Sequence, residues 1–351
     1  MQRTNEHYLP RFLMRGFASH IRGEEVKTWW FREGIDPKET NIRNIAAEKD
    51  FHSSDSGCSA DDSIKPLEDQ FGWYLDSLRQ QKTECRLDDA VVPELVGNLT
   101  VRTKAFREGL TRSTAIAMRE VIARLRDTEQ LNKIVSVRLG DPSGRLLKPL
   151  ASKLADKFSP EYADTFIEQL PDMIAFMRSP LGSLLSKIQL EKVEKAFESD
   201  FPRAAKESHV HALSQAPVPE TVIAALAHLH WHLVIHNPGS FILGDVGPVF
   251  KIENSIRSKS APVGVYDYDA AFLPISDSHL IAGLEDERSP VVGVEQVNRF
   301  SSSCSQTFFI SAFNTVREQN YALQLGSSAD LLDKDTMPSL VEHVLSLLQS
   351  L

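Results

Sequence analysis

The order of strand-forming and helix-forming patterns along the chain constrains its fold more than any other feature. Residues 26–31 are rich in β-branched and aromatic side chains, which is typical of a strand. From residue 66 to residue 235, apolar residues mostly recur at helical spacing, and beyond 235 short apolar runs between Gly, Pro, Asn and Asp indicate strands again. This order predicts an α+β fold, with a mixed or antiparallel sheet built from the N- and C-terminal segments around a large central helical portion.

The same patterns predict one domain over residues 1–351, with three sub-regions. These are 1–65 with strands and a helix, 66–235 mainly helical, and 236–351 rich in strands with C-terminal helices. The spacing predicts helices at 66–79, within 91–131, and at 149–157, 160–178, 183–199, 294–313 and 339–348, with Pro202 marking a helix boundary. It predicts late strands at 241–243, 249–252, 271–275 and 279–282.

Composition is typical of a soluble globular protein, with 42% apolar and 25% charged residues. The net charge of −9 argues against a general nucleic-acid coat, although a local basic patch can still bind nucleic acid. Cys58, Cys85 and Cys304 form no CxxC pair, which argues against a disulfide framework or a thiolate zinc site. We expect no signal peptide, because Pro10, Arg11 and Arg15 interrupt the apolar residues near the N-terminus. We expect no membrane partner, because no apolar run approaches the roughly 20 residues that span a bilayer, and together with the cysteine usage this favours a cytoplasmic location.

The N-terminal stretch predicts an anchored helix. Pro10 suits the first turn of a helix, where its missing N–H costs nothing. The apolar residues that follow, Phe12, Leu13 and Phe17, then fall near one helix face. We therefore expect this end of the chain to pack on the core rather than to fray.

Three blocks of the sequence are similar to one bacterial family. They are His7-Tyr8-Leu9-Pro10 with the phenylalanines after it, the segment from Val101 to Arg107, and the segment from Trp231 through Asp245 to Asn298. These blocks resemble the family named domain of unknown function 4238. The resemblance implies a single cytoplasmic domain with a suspected role in phage defence or as a toxin, and it implies no particular reaction. Where the family commonly has Asp-Asn-Pro, this chain has Asp245-Val246-Gly247-Pro248.

Four polar residues in or beside these blocks form the first candidate site: His7, Arg11, Arg102 and Asp245. An imidazole that titrates near neutrality suits general acid–base catalysis, and guanidinium groups bind phosphate or carboxylate oxygens in pairs. We expect His7 and Asp245 to be catalytic, with Asp245 orienting His7 or binding a metal, and Arg11 and Arg102 to bind substrate. The alternative is structural, with His7 and Asp245 capping turns and Arg102 pairing with an acid.

A histidine-rich stretch is the second candidate site, and it contains His228, His230, His232 and His236. In a helix, His228, His232 and His236 share one face and can ligate a divalent metal such as zinc or iron. In a strand, His228, His230 and His232 share a face instead. Two further candidate ligands lie upstream: His209 and His211. Histidines that line a core or a surface are the structural alternative.

Two other patterns have both a chemical and a structural interpretation. Asp267 and Asp269 would share a strand face, where paired carboxylates bind Mg²⁺ or act as an acid–base pair, or else they form a solvated strand end. Arginines in the central helices would form a phosphate-binding stripe, or else a solvated face balanced by acids. These arginines are Arg102, Arg107, Arg112, Arg119, Arg124 and Arg126.

The leading functional hypothesis is an enzyme that acts on a phosphate-bearing substrate, with nucleic acid or a phosphorylated ligand as its partner. A nuclease-like toxin or phage-defence effector fits this hypothesis. The alternatives are a non-catalytic binding or regulatory protein and a histidine-ligated metalloprotein. The sequence contains no P-loop, dinucleotide-binding, serine-hydrolase or kinase signature, which argues against those mechanisms.

Overall fold

The computed structural model describes residues 5–54, 57–87, 91–125, 180–251, 268–286 and 293–329. The chain divides into two compact units, the first formed by residues 1–111 and 203–332 and the second by residues 112–202 and 333–351. In the second unit the described residues are the helical segments 112–125 and 180–202. The single domain over 1–351 stays a prediction.

The described elements follow the predicted order of strands, then helices, then strands. The strands are β1 (Asn5–His7), β2 (His20–Arg22), β3 (Glu25–Arg32), β4 (Ile35–Asn41), β5 (Ala47–Lys49), β6 (Cys85–Arg86), β7 (His230–Ile235), β8 (Leu243–Gly244), β9 (Val249–Lys251), β10 (Ala270–Pro274), β11 (His279–Leu284) and β12 (Phe308–Ser311). The α-helices are α1 (Arg11–Met14), α2 (Asp61–Arg79), α3 (Val91–Val101), α4 (Lys104–Leu125), α5 (Pro180–Gln215), α6 (Glu220–Leu226), α7 (Val294–Cys304) and α8 (Val316–Ala322). Two 3₁₀ turns occupy Arg15–Phe17 and Ile42–Asn44.

The described strands form three sheets, and every strand pair in them is antiparallel. One sheet has the order β2-β3-β12-β8, with β4 also paired to β3, and a second has the order β6-β7-β11-β10-β9. The third is the small pair β1-β5. In the first sheet, N-terminal β3 pairs with C-terminal β12, and Trp30 lies opposite Ile310. The prediction of an α+β fold whose two ends share a sheet is confirmed.

The N-terminal stretch is anchored, as predicted. α1 begins directly after Pro10, and Leu9, Leu13 and Phe17 are fully buried in the main core. Only glycine fits at position 16, because an added Cβ would lie 2.1 Å from the Ile275 carbonyl oxygen. The chain end is therefore packed tightly against the end of β10.

Two predicted elements are wrong, and one group of predictions lies outside the described residues. The helix predicted at 294–313 ends at Cys304, because the Phe308–Ser311 segment pairs with both β3 and β8 as strand β12. Pro202 lies inside α5 rather than at a helix boundary, where it costs that helix one backbone hydrogen bond. The helices predicted at 149–157, 160–178 and 339–348 lie outside the described residues.

Candidate functional site

A cavity of about 940 Å³ lies in the first unit beside β1, α1 and α2. β1 contributes His7, α1 contributes Arg11, α2 contributes one helix face, and the link between α3 and α4 contributes Arg102. The structure thus brings three of the four predicted site residues to one cavity. The described residues that line this cavity do not include Asp245.

Arg102 lies at the inner wall of the cavity, and its side chain is only 1% exposed. Its Nη2 donates to the His7 carbonyl oxygen at 2.9 Å and to a Glu68 carboxylate oxygen at 2.7 Å. Its Nε and Nη1 are buried and have no hydrogen-bond partner among the described residues. Burial lowers the pKa of Arg102, and the Glu68 carboxylate opposes that shift. A buried charged donor without an acceptor is costly, and an anionic ligand oxygen would remove that cost.

One ring nitrogen of His7 contacts the protein backbone, and the other has no partner among the described residues. Its Nδ1 lies 3.1 Å from the Ile45 carbonyl oxygen, so Nδ1 carries the hydrogen and donates it. Its Nε2 therefore has a lone pair, and no described residue hydrogen-bonds to it. Burial lowers the pKa of His7, and the nearby Arg11 charge lowers it further. The imidazole is consequently neutral near pH 7, which is the form that accepts a proton.

A second histidine, His52, contacts the backbone of His7 and helps to hold it in place. Its Nε2 lies 3.3 Å from the His7 carbonyl oxygen, and its backbone N–H donates to the buried Glu6 carboxylate. Burial lowers the pKa of His52 to about 3, and the neighbouring Arg102 charge acts in the same direction. His52 is therefore neutral at ordinary pH and fixes the backbone of β1, which in turn positions the His7 ring.

One face of α2 forms a wall of the cavity and carries both acids and bases. Three cavity-lining cations make no ion pair within the described part of the chain, namely Arg11, Arg15 and Lys65. Three of the lining carboxylates do have cationic partners, since Glu68 pairs with Arg102, Asp76 with Arg79 and Glu24 with Arg43. The carboxylates of Glu6, Asp61 and Asp69 also line the cavity, so the preference for an anionic ligand rests on the buried Arg102 rather than on the sum of the lining charges.

Asp61, at the start of α2, is an acid on this wall whose pKa is shifted from its ordinary value. Burial raises the pKa of its carboxyl, and the nearby carboxylates of Glu6 and Glu68 raise it further. Lys65 and Arg102 oppose the shift. The cavity is thus lined by a carboxyl with a raised pKa and by a histidine with a lowered pKa, a combination that acid–base sites use.

Asp245 is buried in a different role from the one predicted. Its carboxylate accepts hydrogen bonds from the backbone N–H groups of Gln306, Thr307 and Phe308, at 2.9, 2.7 and 3.2 Å. It also accepts one from the Thr307 hydroxyl at 2.6 Å. Burial raises the pKa of Asp245, and these hydrogen bonds oppose the rise. The carboxylate caps the turn that leads into β12, so it neither orients His7 nor lines the cavity.

The histidine-rich stretch is a strand rather than a helix, so the four-residue spacing does not bring His228, His232 and His236 together. His230–Ile235 forms β7, while His228 precedes the strand and contacts the Tyr268 carbonyl oxygen at 3.1 Å. His236 packs edge-on against Phe241. Among the described residues, no group of three or more His, Cys, Asp or Glu side chains is placed to bind a metal ion. A divalent metal stays a prediction.

The remaining candidates are dispersed. His209 Nε2 contacts the Val101 carbonyl oxygen at 2.8 Å, and His211 is exposed. Arg107 pairs with Glu48 at 2.9 Å. Lys251 lies 4.0 Å from Asp269. The side chain of Arg124, and the residues Arg126 and Asp267, lie outside the described part of the chain.

Sequence reasoning missed most of the cavity lining, including four residues that matter for its chemistry: His52, Asp61, Glu68 and Trp73. Three of them lie on α2, whose buried residues Phe71 and Leu75 pack into the main core. The helical spacing of α2 was visible in the sequence, and its polar face was the available signal. Nothing in the sequence indicated that this face borders a cavity rather than bulk solvent.

The fold and the cavity together define an α+β protein in which the N-terminal strand and helices enclose a charged cavity around a buried arginine. The chain belongs to the family described as protein of unknown function (DUF4238), whose sequence profile matches residues 5–308. The resemblance seen in the sequence blocks is therefore confirmed. No curated protein and no solved structure matches the chain. Within the described residues, no helix combines the length and apolar character needed to cross a membrane.

Proposed function

We propose that this chain is an enzyme that cleaves a phosphate ester, with the cavity beside β1 as its active site. One observation carries the proposal. Arg102 is buried with two unpartnered guanidinium nitrogens, and it contacts the backbone of His7, whose Nε2 is without a described partner. An anion-binding group next to a neutral imidazole is the arrangement that phosphate-directed acid–base catalysis requires.

In this proposal each group has a distinct role. Arg102 and Arg11 hold the phosphate oxygens. His7 Nε2 takes the proton of an attacking water or hydroxyl as its oxygen forms the bond to phosphorus. The leaving oxygen departs as its bond to phosphorus breaks, and it takes a proton from a water molecule that enters the cavity. Asp245 has no role in this reaction, which changes the residue set expected from the sequence.

The biological setting is part of the same proposal. Nucleic acid is the phosphate ester that a nuclease-like toxin or phage-defence effector would attack, and the family resemblance is what suggests that setting in the bacterial cytoplasm. Expression of the wild-type chain in a bacterial host, followed by a check of cellular RNA and DNA integrity, tests it. The proposal expects degraded nucleic acid with the wild type and intact nucleic acid with His7→Gln.

The catalytic assignment is tested with purified protein, single-stranded RNA and DNA, and bis(p-nitrophenyl) phosphate. We expect His7→Gln to lower the cleavage rate by roughly 10²- to 10⁴-fold, the usual contribution of general acid–base catalysis. Arg11→Gln should raise KM more than it lowers kcat, because Arg11 is exposed and binds substrate. His20→Gln is the matched control, since His20 is exposed on β2 and outside the cavity lining. Full activity in both cavity variants would contradict the assignment.

A second candidate function is binding without catalysis, and one observation favours it. The same contacts that position the site also hold the fold, since Arg102 ties the α3–α4 link to β1 and His52 contacts the same carbonyl oxygen. A protein that binds phosphate-bearing ligands in an Arg11-dependent way, but cleaves none of them, would support this candidate over the enzyme.

A further inference from the structure

Trp73 differs from the other tryptophans of the chain. Its side chain is 83% exposed, whereas Trp231 is 1% exposed and both Trp29 and Trp30 are half-buried. Single exposed apolar residues are common on protein surfaces and need no explanation by themselves. Trp73, however, lines the charged cavity and is the largest aromatic surface there. An exposed indole in such a place is available to a ligand.

The position of Trp73 on α2 relates it to the anion-binding groups. Glu68, whose carboxylate contacts Arg102 at 2.7 Å, precedes Trp73 by five residues on the same helix. Trp73, Glu68 and Arg102 line the same cavity, so one ligand that spans the cavity can contact both the indole and the unpartnered guanidinium nitrogens.

The segment Arg11–Arg15 adds a second aromatic ring to the cavity lining, between two charges. Phe12 is half-buried and packs against α2 at Gly72, where an added Cβ would lie 3.7 Å from the Phe12 Cβ. Arg11 and Arg15 lie on either side of Phe12 along the chain, and both line the cavity. Aromatic rings that stack bases, together with cations that contact phosphates, are how proteins bind single-stranded nucleic acids.

We propose that the ligand of this cavity is a nucleotide unit whose base stacks on Trp73 and whose phosphate reaches Arg102. This inference rests on the proposed function, because it takes the Arg102 site as the place of the phosphate. A phosphorylated sugar would use the cations and leave the indole without a contact. A double-stranded nucleic acid would keep its bases inside the duplex, out of reach of Trp73.

The test is calorimetric titration of the full chain with the four nucleoside 5′-monophosphates, with ribose 5-phosphate, and with a short single-stranded oligonucleotide. Trp73→Leu removes the aromatic ring but keeps an apolar side chain on the helix surface. We expect it to weaken nucleotide binding roughly tenfold to a hundredfold, the usual cost of losing one base–aromatic stack, and to leave ribose 5-phosphate binding unchanged. Trp73→Phe should retain most of the affinity. Leu323→Ala, at an 85% exposed apolar residue outside the cavity lining, is the control.

Each outcome decides the inference. A Trp73-dependent preference for mononucleotides indicates a free nucleotide, and tighter Trp73-dependent binding of the oligonucleotide indicates a single strand; both support stacking. Equal affinity for nucleotides and ribose 5-phosphate, with no effect of Trp73→Leu, would overturn the inference and leave the proposed phosphate site standing. If the wild type binds none of these ligands, the inference and the proposed function both fail.

Discussion

Arg102 and Asp245 are both charged, both buried and both part of sequence blocks typical of the family, yet their surroundings differ completely. The Asp245 carboxylate accepts four hydrogen bonds, three of them from consecutive backbone N–H groups. Arg102 uses one of its three guanidinium nitrogens, and the other two have no described partner. The first group is saturated by its own protein, whereas the second has capacity left for a ligand.

This difference separates a structural charge from a candidate functional one. A buried charge must gain hydrogen bonds in the native state to offset its desolvation, and Asp245 gains them from the turn before β12. Arg102 gains fewer hydrogen bonds, so its desolvation is only partly offset in the chain without ligand. A bound anion would supply the missing hydrogen bonds. Burial alone did not distinguish the two residues, since their exposed fractions are 1% and 3%.

The largest effect that the comparison predicts is on folding. Asp245→Ala leaves three backbone N–H groups and one hydroxyl without their acceptor in the core. We expect the free energy of unfolding, measured by urea denaturation, to fall by about 3–5 kcal/mol. Asp269→Ala is the control, because its half-exposed carboxylate has only a distant contact at 4.0 Å with Lys251, and it should change stability by less than about 1 kcal/mol. Equal losses of unfolding free energy in Asp245→Ala and Asp269→Ala would contradict the structural role of Asp245.

The second effect is a loss of stability in acid that originates beside Arg102. The pKa of His52 is lowered from 6.5 to about 3 in the folded state, so below pH 6.5 the unfolded chain binds a proton that the native chain does not. The stability contributed by neutral His52 is therefore complete above pH 6.5 and is lost as the pH falls toward 3. Between pH 7 and pH 5 this residue alone should cost about 2 kcal/mol. The pKa of His7 is lowered in the same direction.

Urea denaturation at a series of pH values measures this effect. In His52→Gln, the free energy of unfolding should depend less steeply on pH between 5 and 7, because the contribution of one histidine is removed. His20→Gln, with an exposed ring outside the cavity, should keep the wild-type slope. An unchanged slope in His52→Gln would show that His52 is not held neutral against Arg102.

The smallest effect expected on stability is that of replacing Arg102 itself. Arg102→Met keeps a long apolar stem and removes a charge that is only partly paired. Glu68 is 33% exposed at its side chain and can be solvated, and the His7 carbonyl oxygen keeps its His52 contact. We expect the free energy of unfolding to change by no more than about 1 kcal/mol, while phosphate-ligand binding is lost. A loss as large as that of Asp245→Ala would mean that Arg102 is a structural residue of the same kind.

Much of the fold was predictable from the sequence, because hydrophobic spacing reports directly on helices and strands. Residues 66–79 carried a clear helical period, and they form most of α2. The helix predicted at 294–313 failed because pairing with β3 and β8 decides the structure of Phe308–Ser311, and such long-range pairing leaves no trace in local spacing.

The candidate site was predictable only in part. Residue chemistry indicated His7, Arg11 and Arg102, and the structure places all three at the cavity. Hydrogen-bond saturation is a property of the folded chain, so the sequence could not separate Arg102 from Asp245. The same limit explains why Trp73 was passed over, since its exposed fraction depends on which face of α2 packs inward.

The central claim is that the unpartnered nitrogens of Arg102 bind an anionic ligand. It is tested most directly by the Nε–H signal of Arg102 in a ¹⁵N-arginine-labelled sample, assigned by its absence in Arg102→Met and followed during titration with nucleoside monophosphates. We expect a saturable shift of this signal, with the same midpoint as calorimetric binding. A signal that stays in place while the ligand binds elsewhere, or while no binding occurs at millimolar ligand, would contradict the account.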